Sequence, residues 1–116
     1  MTEQEWEARV AEQPTAMNLD DYLLSYLAQE CNEVAIRCTK AQMFGLDEIQ
    51  PGQPLTNRQR IAEELADLKA LVFLMEGVHL LPEFSERDLN ARISAKHRKA
   101  KEFRNYSRQL GRLEAL

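Results

Sequence analysis

The stretch TNRQRIAEELADLKALVFLMEGVH, from Thr56 to His79, decides the fold. Thr56 followed three residues later by Gln59 reads as a capping box, and apolar residues then recur at helical spacing until Gly77. On a wheel of about 100° per residue, Ile61, Leu68, Leu71 and Met75 fall within about 60° of Glu64, with Asp67 at the edge of the same stripe. The acids therefore point toward the side of the helix that should be buried. An ionised carboxylate held there costs several kcal/mol unless a cation or a full set of hydrogen bonds compensates it, so a positive partner is expected.

Upstream, Asn18 with Asp21 three residues on opens a second helix, expected from about Leu19 to Phe44. Leu23, Leu27, Cys31, Val34 and Cys38 repeat at spacings of three and four, which marks an amphipathic helix and makes both cysteines candidates for burial as reduced thiols. Glu30 and Glu33 border that stripe. Gly45 suits a left-handed cap, and Pro51, Gly52 and Pro54 make the next ten residues or so a loop. The N-terminal arm, 1–17, contains a short helix from Glu3 to Glu12 that Pro14 should stop, packing on the body or on a neighbouring subunit. After the turn at Leu81 and Pro82 a third long helix is expected from Ser85 or Glu86 to Tyr106 or beyond. Its stripe is Leu89, Ile93, Ala100 and Phe103, with Lys96 among them.

The expected fold is therefore all-α: three main helices and a short N-terminal one in a single domain spanning 1–116. No alternation of β type and no internal repeat is present. Inward-facing acids on three helices do not enclose a site unaided, so oligomerisation, as a dimer or tetramer, is expected to complete the bundle. No apolar run approaches the roughly 20 residues that span a bilayer, and the acidic start MTEQEWEARV is unlike a signal peptide, which points to no membrane and to a cytoplasmic setting. The formal charge of −4 hides an asymmetry: residues 1–86 carry 6 basic and 16 acidic groups, residues 87–116 carry 9 basic and 3 acidic. An anion such as a triphosphate, held between a metal-loaded acidic site and basic side chains, suits this division.

Two pairs of acids carry the chemistry, Glu30-x-x-Glu33 and Glu64-x-x-Asp67. Spacing i, i+3 sets two carboxylates one turn apart on one side of a helix, where their oxygens can converge on a cation. Four oxygen donors without a soft ligand select a hard ion, Mg²⁺ with Mn²⁺ as a substitute, and Mg²⁺ commonly shares its shell with substrate phosphates.

The segments LAQECNEVAIRCTKAQMFGLDEIQPGQ and NRQRIAEELADLKALVFLME, with those acids at Glu30, Glu33, Glu64 and Asp67, resemble the MazG-like all-α nucleoside triphosphate pyrophosphohydrolases of small single-domain phage and bacterial type. The likeness covers roughly residues 19–76, and more loosely the basic third helix. Gln29 stands where an acid is frequent and Asn32 where a small residue is usual. What the resemblance implies is Mg²⁺-dependent hydrolysis of a ribo- or deoxynucleoside triphosphate to the monophosphate and pyrophosphate, with water attacking the α-phosphorus. Under that reading Glu30, Glu33, Glu64 and Asp67 hold metal, and Glu33 and Glu64 are the catalytic candidates, Glu33 as acceptor of the water's proton. Lys96 and Lys99, with Lys40 or Arg37, would clamp the polyphosphate, and Asn57 would touch phosphate or sugar.

Two rivals from other classes stand beside this reading. A non-catalytic helical protein could bind nucleotide or serve as an interaction module that keeps the acids without turnover, or could bind nucleic acid through the run KHRKAKEFRNYSR from Lys96 to Arg108. The acidity of the whole chain and the helical spacing of Phe103 argue against nucleic acid. A di-iron bundle would need Glu-x-x-His on two helices, and only Glu76 with His79 offers it.

Overall fold

The computed structural model describes residues 1–12 and 16–116. Pro14, the expected stop of the first helix, lies outside the described residues. Four α-helices follow one another, α1 (Glu3–Ala11), α2 (Leu19–Phe44), α3 (Asn57–Gly77) and α4 (Glu86–Gln109), and no strand occurs among the described residues. The fold is all-α. The chain divides into two compact units, Met1–Leu81 and Pro82–Leu116.

Local chemistry sets the helix ends. The Asn18 side-chain oxygen accepts the Asp21 N–H at 2.8 Å and so satisfies one of the free donors at the start of α2. At α3 the Thr56 hydroxyl accepts the Gln59 N–H at 3.2 Å, while the Gln59 side chain accepts the Thr56 N–H at 3.0 Å. This is the reciprocal box read from the sequence. A similar pair, Thr2 with Glu5, starts α1. Gly45, at φ 102°, ends α2 in a conformation that side-chain-bearing residues rarely adopt.

In the first unit α2 and α3 form an antiparallel hairpin, and they are the helix pair in contact there. Leu23, Leu71 and Met75 make the buried cluster at one end, with Leu27, Leu80 and Leu81 packed against it. The chain reverses after α3 at His79, whose φ of 63° lets Leu80 and Leu81 fold back, both their N–H groups donating to the Met75 carbonyl. Ala41 and Asn57 are buried at the other end of the hairpin.

The connection between the two helices is tied down. Asn57, 2% exposed, donates from Nδ2 to the Gly45 carbonyl at 2.9 Å, and its N–H donates to the Glu48 carbonyl at 3.0 Å. The Arg58 N–H donates to the Leu46 carbonyl, and the Arg58 guanidinium pairs with Asp47 at 3.1 Å. The structure thus gives Asn57 a local role, its buried amide joining the end of α2 to the start of α3. Asn57→Ala removes that hydrogen bond and should cost about 0.5–1.5 kcal/mol, read as a lowered urea midpoint; an unchanged midpoint would mean the bond adds nothing.

Several expectations of burial are corrected. Cys31 and Cys38 are exposed free thiols. Two helices share a single line of contact, so a residue 60–80° off that line on the wheel stays open to solvent. Trp6 and Val10 are exposed and α1 packs on neither α2 nor α3. In the second unit α4 buries none of its residues: Leu89, Ile93 and Phe103 are exposed, since a lone helix has no facing surface within its own unit. There the Arg92 guanidinium lies 4.5 Å from the centre of the Phe84 ring. No described helix is long and apolar enough to cross a membrane.

Candidate functional site

Between the two buried ends of the hairpin, Glu30 of α2 faces Glu64 and Asp67 of α3. One carboxylate oxygen from each of the three lies within 4.8 Å of the others. Glu30 and Glu64 are half-buried and Asp67 is exposed, so the cluster opens from the helix seam onto the surface. Among the described residues none of the three has an ion-pair partner.

The cost of this arrangement shows at Glu30. Burial, then the negative charges of Glu64, Asp67 and Glu33, push its pKa above the ordinary 4.5. With the folded pKa raised, the contribution of Glu30 to stability is greatest below its ordinary value, where it is neutral in both states, and falls as pH rises through the raised value. Glu30→Gln should therefore raise the melting temperature of chelator-treated protein at pH 7 and leave it nearly unchanged at pH 4. A lower melting temperature at pH 7 would show that the carboxylate is compensated in some other way.

The donor set could hold a hard divalent ion: neighbouring oxygens on Mg²⁺ stand about 3.0 Å apart and opposite ones about 4.2 Å, so the three side chains would have to close inward around it. Three hard oxygens and no sulfur or imidazole exclude a soft-metal preference. Glu33, the fourth acid expected from the sequence, is exposed and lies outside the trio, although its charge reaches Glu30. Three residues along a helix turn it about 60° away from Glu30.

The basic candidates belong to both units, each described within its own. Lys40 is half-buried near the end of α2, as is Arg37, whose Nη1 is buried without a hydrogen-bond partner. Lys96 and Lys99 are exposed on α4 in the second unit, where the Lys99 Nζ lies 5.7 Å from the centre of the Phe103 ring.

The α2–α3 seam carries a further feature that helical periodicity does not reveal. A groove of about 570 Å³ runs along the α2–α3 seam, lined by Tyr22, Leu23, Tyr26, Glu30, Asp67, Ala70, Leu71 and Leu74. The rings of Tyr22 and Tyr26 meet edge to face, 6.4 Å apart at 70°. The available signal was the i, i+4 tyrosine pair leading into Glu30, one turn further along. Against family models, curated proteins and solved structures alike, the chain finds no match.

Proposed function

We propose that the protein hydrolyses a nucleoside triphosphate to the monophosphate and pyrophosphate, water attacking the α-phosphorus with a divalent ion in the acidic site. The observation that carries this reading is the convergence of Glu30, Glu64 and Asp67 with no ion-pair partner among the described residues. Magnesium, or manganese in its place, supplies charge neutralisation of the phosphates and a more acidic water when bound. Glu30, Glu64 and Asp67 orient the phosphate tail by fixing that charge at the seam. Glu33, outside the trio, keeps both oxygens open to accept the attacking water's proton. Arg37 and Lys40, on the same helix as Glu30, are the side chains that would bind the polyphosphate.

The same reading includes a homodimer or tetramer. Leu24, Ile36, Leu65 and Phe73 are exposed on the hairpin while its buried apolar set is small, and a second copy would cover them. A reducing cytoplasm suits two unpaired cysteines. The direct test is incubation with a panel of ribo- and deoxynucleoside triphosphates, with Mg²⁺ or with chelator. Pyrophosphate and monophosphate in equal amounts, only with the ion, are expected; no product across the panel would overturn the reading.

A further inference from the structure

We infer that the tyrosine-lined groove is a nucleobase site. It is continuous with the acidic cluster, since Glu30 and Asp67 belong to its lining, and its remaining wall is apolar and aromatic. At about 570 Å³ it falls within the range of small-molecule sites, roughly 300–1,000 Å³. Tyr22 and Tyr26 remain 56% and 42% exposed, so their faces are open to a planar ligand. Held edge to face, the pair offers two differently oriented ring surfaces, and Ala70 opposite leaves room for a flat ring between the helices.

A ligand that combines an aromatic ring with an anionic tail matches both ends of this channel. The ring stacks on Tyr26, the nearer of the two to Glu30 along α2, and Leu74 closes the far side; the tail reaches the ion held by the carboxylates. The assignment rests on the nucleotide reading for the direction in which the ligand lies, while the stacking contact does not depend on hydrolysis. The groove lacks a buried polar side chain aimed at a base edge, so it selects for an aromatic ring and discriminates weakly among bases.

The test uses ring resonances of Tyr22 and Tyr26, assigned by Tyr22→Phe and Tyr26→Phe, in the full chain titrated with adenosine, cytidine, guanosine and thymidine. These nucleosides carry no phosphate and need no metal. The expected result is a saturable shift at both rings with at least one nucleoside, present also in Glu64→Gln. Tyr26→Ala should weaken it roughly tenfold, with Tyr26→Phe close to wild type. In turnover assays Tyr26→Ala should raise KM with kcat largely kept, and inorganic tripolyphosphate should compete equally well in both proteins. Absence of any nucleoside shift, or a shift indifferent to Tyr26→Ala, overturns the assignment. So does a ring signal that follows protein concentration alone, which would mean that a second copy covers the groove. Nucleoside binding without pyrophosphate formation would leave the groove assignment standing and remove the hydrolytic one.

Discussion

Replacing Glu64 by Gln is expected to lower Mg²⁺-dependent turnover by about 100-fold or more while the helices remain intact. Glu64 lies half-buried in the seam, and its carboxylate is one of three that converge there. The amide keeps the shape and removes one negative charge and one anionic donor. Changes to residues that merely support metal ligands already cost roughly 10–100-fold in affinity or activity, and a ligand itself should cost more. The fold should not suffer, since the substitution relieves repulsion with Glu30 and Asp67. Turnover assayed over a Mg²⁺ series, with helicity followed by circular dichroism, separates the two effects. Activity within twofold of wild type at every Mg²⁺ concentration would show that the trio does not hold the ion.

The second large effect is on stability. Met75 is completely buried, between Leu23 and Leu71 and beneath the returning Leu80 and Leu81. Met75→Ala should cost about 2–5 kcal/mol, from lost burial and the cavity left behind. A domain of this size has about 5–15 kcal/mol in all, so the variant gives up a large share of it. Met43→Ala is the matched control: Met43 is 72% exposed, and its truncation should stay within about 0.5 kcal/mol. Urea midpoints for the two variants should differ clearly; equal midpoints would mean that the Leu23–Leu71–Met75 cluster is not the core.

The positions of α2 and α3 were legible because their signals are local. Asn18 and Thr56 cap by bonds to residues three positions away, and Gly45 ends α2 through its own backbone freedom. The inward set of α3 was legible for a related reason: the wheel gives the direction of a side chain, and Leu71, Met75 and Glu64 all point toward α2. Depth was not. Whether Cys31 or Phe103 is buried depends on what stands opposite, and a helical period is silent on that. The bond of Asn57 to the Gly45 carbonyl was not legible, because that partner sits across a loop whose path the sequence does not dictate. Glu33 shares its spacing with Asp67, yet only Asp67 joins the trio, a difference that spacing along one helix does not disclose.

The claim on which the rest depends is that three carboxylates meet around one hard cation. Manganese binding followed by electron paramagnetic resonance, in wild type, Glu30→Gln and Glu33→Gln, tests it without reference to any substrate. The predicted result is one saturable Mn²⁺ site per chain, displaced by Mg²⁺, lost in Glu30→Gln and kept with modest weakening in Glu33→Gln. Mn²⁺ binding that is absent from the wild type, or equally strong in Glu30→Gln, would contradict it.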